Sequence, residues 1–354
     1  MKMSLRWFSE GNDSIKLSDI RQISGVSGVV SSIESIPVGA VWDDASIKKL
    51  KAEVESNGLK LLGIESVNVH DSIKAASPDR DKYIENYIKT IENLGNNGID
   101  LICYNFMPVF DWMRTDLNLI REDGAGVMAY EHALLQGITS AELIERMRSG
   151  SNGFSLPGWE PERLTDIEKL LRIYEGITAD TLFENLVYFL EAIMPTCEKY
   201  GVKMAIHPDD PPWSLFGLPR IIYSEESISR LLSAVDSKYN GITFCTGSLG
   251  ANRNNDLPAM AAKFANRIHF AHLRNIRYKD GIDFEESAHI SDDGSFCMYS
   301  IVKALYDNKF DGVIRPDHGR SVWGEVSRPG YGLFDRAMGA CYLYGLWESN
   351  EKRG

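Results

Sequence analysis

Four side chains of metal-binding type stand at comparable points of the chain: His207 in "MAIHPDD", Cys245 in "TFCTGS", His272 in "FAHLRN" and Asp317 in "RPDHG". Each ends a short apolar run, and each is separated from the next by about one strand–helix repeat. Taken singly they say little. A strand-end His is commonly a hydrogen-bonded structural residue, a buried Cys is usually inert packing, and an Asp often caps the next helix. Four ligand types at the same point of four successive repeats are not what packing alone produces, and they suggest one divalent ion. Nitrogen and thiolate donors suit zinc by softness, whereas Mn(II) or Fe(II) would need further oxygen ligands, so the donor set alone does not choose. His70, His132, His269 and His289 lack this placement, and alternation along a strand turns His269 away from His272.

A second cluster surrounds the fourth ligand. His318 follows Asp317 directly, and Tyr331 lies between Gly330 and Gly332 in "RPGYGLFDR". Adjacent Asp and His suggest one group on the metal and the other free for proton transfer. Tyr331 by itself reads equally well as a packed loop aromatic. Arg253, Arg274, Arg277, Arg315 and Arg320 fall near the same strand ends, with Asn105 at the end of an earlier one. A guanidinium can hold a carboxylate through two parallel hydrogen bonds, so this group favours an acidic, hydroxylated substrate.

The elements that must position these residues share one pattern, in which a helical stretch is followed by Gly and then by a short apolar strand with a polar end. It occurs at "GLKLLGIES", "GIDLICYNF", "GVKMAIHPDD", "GITFCTGS" and "GVIRPDHG". Gly suits the left-handed residue that closes a helix, and the continuous apolar runs suit strands covered on both faces. "MSLRWF", "GVVSSI" and "RIHFAHLRN" complete a set of eight strands. Alternation of strand and helix predicts an α/β fold, a (β/α)8 TIM barrel. The fourth and fifth strands lie much further apart than one helix requires, so a mostly helical insertion is expected over residues 108–178 of a single domain spanning 1–354. Thr139–Glu142, Thr165–Glu168 and Thr181–Glu184 read as capping-box helix starts within or just after it. The insertion is expected to serve as a lid or an oligomer contact, and a homodimer is the expected assembly.

The formal net charge is −12 over 354 residues, and no basic run tracks a phosphate backbone, which argues against nucleic acid and anionic membrane as partners. No apolar stretch is long enough to span a bilayer and no signal-peptide core is evident, so a cytoplasmic protein is expected. Five cysteines without CxxC spacing argue against a disulfide framework.

Longer phrases carry a resemblance. "CYNFMPVFDWMRTDL", "GSLGANRNNDLP", "RIHFAHLRN", "RPDHGRSVWGE" and "RPGYGLFDRAMGACYLYGL" resemble the mannonate dehydratases, with likeness running from "LRWF" to "GLWE". The resemblance implies a xylose-isomerase-like barrel and a single Mn(II) or Fe(II) ion held by His207, Cys245, His272 and Asp317. It also implies His318 and Tyr331 as the acid–base pair. The implied reaction is a hydro-lyase step of glucuronate catabolism, from D-mannonate to 2-keto-3-deoxy-D-gluconate and water. Tyr331 is expected to take the C2 proton and His318 to protonate the departing hydroxyl, or the reverse. A metal-dependent sugar isomerase or epimerase of the same barrel group is the alternative, and a non-catalytic sugar-acid-binding protein stands last.

Overall fold

The computed structural model describes residues 1–9, 11–154 and 167–351. Among them lie twelve strands: β1 (Lys2–Arg6), β2 (Val26–Ser31), β3 (Lys60–Glu65), β4 (Leu101–Tyr104), β5 (Asp116–Ile120), β6 (Gly126–Tyr130), β7 (Lys203–Ile206), β8 (Asn240–Cys245), β9 (Ile268–His272), β10 (Ile276–Tyr278), β11 (Phe284–Glu286) and β12 (Val313–Arg315). Eight of them close a parallel barrel in the order β1-β12-β9-β8-β7-β4-β3-β2. These are the eight strands expected from the repeating pattern, each beside its neighbour in the chain.

Period-two alternation sorts the barrel residues. Leu101 and Cys103 of β4 point into the lumen, which Val30, Ala205, Phe270 and Val313 help to fill. Ile102 and Tyr104 belong instead to the larger core between strands and helices. There they meet the helix Ala179–Tyr200, whose Leu182, Leu186, Phe189, Leu190 and Ile193 form one buried face. That helix starts one turn earlier than expected. Thr178, with an extended backbone, accepts from the Thr181 N–H, so Thr181 is the capped residue and not the cap. The box at Thr139–Glu142 is formed in both directions, while Thr165 lies outside the described residues.

The glycines that precede strands serve two purposes. Gly58, Gly98 and Gly201 have φ of 74°, 72° and 72°, the left-handed closure that was expected. Gly241 is needed for space: a Cβ there would fall 2.3 Å from the Arg267 carbonyl oxygen and 2.4 Å from the His269 ring.

The segment after β4 departs from a mostly helical insertion. Helices Ser140–Gly150 and Ile167–Ile173 are present, but the segment opens with the β5–β6 hairpin. This joins β10 and β11, which follow β9, in a four-stranded sheet ordered β10-β11-β6-β5. Arg121 and Asp293 staple that sheet to the next loop through two 2.8 Å hydrogen bonds. The sheet carries Glu286 to the barrel mouth. Among the described residues no helix is long and apolar enough to cross a membrane.

Candidate metal and acid–base centre

Strand register brings the expected ligands to one level. Cys245 of β8 and Arg315 of β12 both pair with His272 of β9, and His207 follows the last residue of β7. Ligand atoms of His207, Cys245 and His272 lie within 4.8 Å of one another, a spacing that fits a single ion. Asp317 follows β12 with φ of 62°, a left-handed conformation that a non-glycine residue adopts at a cost. That turn brings its carboxylate 3.8 Å from His272 Nδ1 and 3.7 Å from Cys245 Sγ.

The donor set behaves as a site that suits a cation. His272 Nε2 is buried without a hydrogen bond among the described residues, which is costly unless another partner satisfies it. Burial alone would raise the Asp317 carboxyl, but His318, Arg315, His272 and Arg274 hold it well below the usual range. Burial would lower His207, yet the negative charge of Cys245, Asp317 and Glu65 pushes it up to about 9. His272 is driven well below its ordinary value by burial and by Arg315. These four side chains can hold a divalent ion through two nitrogens, one sulfur and one oxygen.

Around them lies a buried lattice of alternating charge. Arg274 places Nε 2.8 Å from Asp317 Oδ2 and Nη2 2.8 Å from Asp210, while Nη1 bonds Glu286. Arg114 grips Asp210 with both terminal nitrogens, at 2.7 and 3.0 Å, and reaches Glu286 at 2.8 Å. Arg315 Nη2 lies 2.7 Å from both Glu65 Oε1 and Asp317 Oδ1. Space for Arg274 depends on Gly247, where a Cβ would sit 2.4 Å from the guanidinium carbon. Burying so many charges is tolerable only because each faces an opposite one.

His318 and Tyr331 meet directly: His318 Nε2 and the Tyr331 hydroxyl are 3.1 Å apart. Behind the imidazole, Nδ1 is 3.4 Å from Glu286 Oε1. The phenol packs edge-on against Phe8 at 4.8 Å, and burial pushes it up to about 12 despite nearby Arg315. Trp112 packs edge-on toward His318 at a ring distance of 6.5 Å.

Of the polar residues singled out for substrate, Arg274 and Arg315 lie in the centre, each engaged with Asp317. Asn105 stands just past β4, its Oδ1 accepting from the Met107 N–H at 3.3 Å. Arg253 is exposed, donates to the Lys279 carbonyl at 2.6 Å and lies over Tyr278. Arg320 braces Asp335 at 2.9 and 3.1 Å, and Arg277 bonds Asp293 at 2.7 Å. The structure therefore does not bring Arg253, Arg277 and Arg320 to the ligand cluster. It adds Glu65, Arg114, Asp210 and Glu286, which the sequence reading did not single out. Glu65 and Asp210 had a signal, since both stand in the polar ends of strand segments already recognised.

A closed parallel barrel with a metal-type donor set at its mouth defines a (β/α)8 TIM barrel with a candidate metal centre. In fold alone the chain is similar to a xylose isomerase domain protein from Planctomyces limnophilus, with a TM-score of 0.55 at 10% identity over 98% of this chain and 96% of that one. Sequence narrows this much further. The family model for D-mannonate dehydratase (UxuA) matches residues 1–354. The mannonate dehydratase of Brachyspira hyodysenteriae is 55% identical over 354 residues, covering 100% of both chains. The crystal structure of mannonate dehydratase from Streptococcus suis serotype 2 superposes with a TM-score of 0.90 at 42% identity, covering 100% of this chain and 95% of that one. The chain belongs to the D-mannonate dehydratase family, and its class of chemistry is that of a hydro-lyase.

Proposed function

We propose that the chain eliminates water from D-mannonate to give 2-keto-3-deoxy-D-gluconate, in glucuronate breakdown in the cytoplasm. The observation that carries this reading is the pairing of a buried donor set with a hydrogen-bonded His318–Tyr331 couple at its edge. Resemblance to the family supports Mn(II) or Fe(II) as the ion, His207, Cys245, His272 and Asp317 as its ligands, and a homodimer as the working form.

The C2 proton lies beside a carboxylate, so removing it builds an enediolate with two negative charges. A bound divalent ion would stabilise that charge as a Lewis acid. Arg274 and Arg315 fix the Asp317 carboxylate from both sides, which orients it before any ligand arrives. Hydroxide is a poor leaving group, so the C3–O bond breaks as a proton is delivered to it. The high pKa of Tyr331 keeps its phenol protonated, which supports Tyr331 as the donor to that oxygen. His318, with the Glu286 carboxylate behind it to stabilise an imidazolium, is then the acceptor of the C2 proton. Of the two orders the sequence leaves open, this is the one with His318 as base. The 3.1 Å contact lets the proton return from His318 to Tyr331 after each turnover. The enol product tautomerises to the 2-keto acid, so the balance is one sugar acid to one 3-deoxy acid and one water.

Incubation with D-mannonate and Mn(II) should yield a 2-keto-3-deoxy acid, read by a colorimetric assay and by mass spectrometry. An isomerised or epimerised product of unchanged mass would overturn the reading in favour of the isomerase alternative.

A further inference from the structure

The two halves of the barrel mouth differ. On one side Arg114, Asp210, Arg274 and Glu286 satisfy one another, with side chains at most 3% exposed. On the other, over the ends of β1, β2 and β3, the mouth opens into a cavity of about 910 Å³. Two residues of its wall connect it to the reacting centre. Glu65 lies 3.7 Å from His272 Nε2 and 2.7 Å from Arg315. Arg6 is joined to Tyr331 through Arg336, which donates to the Arg6 carbonyl at 2.8 Å and the Tyr331 carbonyl at 2.7 Å. Polar groups stand among its apolar lining. Ser32 Oγ accepts from Arg6 Nη2 at 2.9 Å, Asn68 Oδ1 accepts from the Ser66 hydroxyl, and Glu65 Oε2 is buried with no hydrogen bond among the described residues.

We propose that this cavity is the subsite for the hydroxylated tail of the sugar acid, with Ser32, Glu65 and Asn68 as its hydrogen-bonding wall. The inference rests on the elimination reading, which fixes C2 and C3 near His318 and Tyr331. From there the cavity beside Glu65 and Arg6 gives the far end of an extended six-carbon chain room to lie. A carboxylate oxygen lacking a donor is a natural acceptor for a hydroxyl, and the cavity has room for the tail with bridging water. The subsite selects for chain length and tail hydroxyls, and takes no part in holding the carboxylate end.

The test compares two ligands on the Mn(II)-loaded full chain by calorimetry: D-mannonate, and the four-carbon sugar acid that keeps its C1–C3 groups. Asn68→Ala and Ser32→Ala should each weaken D-mannonate binding about three- to tenfold, as loss of a neutral hydrogen bond does, and change the four-carbon affinity less than twofold. Equal weakening of both ligands, or no change in either, would overturn the subsite. Turnover of D-mannonate by the unaltered chain is read separately. If it is absent while the length-dependent difference persists, the reaction fails and the subsite stands.

Discussion

Replacing Tyr331 with Phe is expected to lower kcat on D-mannonate by about 10²–10⁴-fold, the usual worth of a positioned proton-transfer group. Only the hydroxyl is lost, so the ring keeps its edge contact with Phe8 and the melting temperature should hardly move. His318→Asn is expected to lose a similar factor with the same amount of bound metal. Because the two groups share one hydrogen bond, the double variant should be little worse than either single one. Steady-state kinetics beside metal analysis checks all three. Turnover within tenfold of normal in either single variant, with metal retained, would remove that residue from the acid–base pair.

The second large effect concerns the ion. His207→Ala removes a proposed ligand at a strand end that is only partly buried, so the barrel should fold while metal affinity falls about 100-fold or more. Activity at limiting Mn(II) should fall with it and recover in part at high Mn(II). Cys245→Ser keeps the shape but replaces a thiolate with a poorer donor, and should produce the same pattern. Unchanged metal affinity in both variants would mean that the ion is held elsewhere.

Most of the barrel was legible in the sequence because its strands are short apolar runs with polar ends, and neighbours in the chain pair in space. The clustering of His207, Cys245, His272 and Asp317 was legible for the same reason, since strand ends in a parallel barrel share one face. The β5–β6 hairpin was not. Its partners, β10 and β11, lie more than a hundred residues away, and segments such as "DLNLI" and "FEE" look like surface loop until that pairing is known. Arg114, Asp210 and Glu286 were missed together, because a charged residue reads as solvated until its opposite is seen. Arg320 shows a different limit: its place beside "RPDHG" left it open between holding substrate and bracing a carboxylate, and its guanidinium lies on Asp335. In the same motif Arg315 went to the reacting centre, being the last residue of β12 and level with His272.

The central claim, that one ion at this centre drives the elimination, is tested by titrating Mn(II) into chelator-stripped protein while bound metal and formation of the 2-keto-3-deoxy acid are read together. Turnover should be absent in stripped protein and rise in proportion to occupancy, reaching its limit at one ion per chain. Full turnover in stripped protein, or an occupied site without turnover, would contradict it.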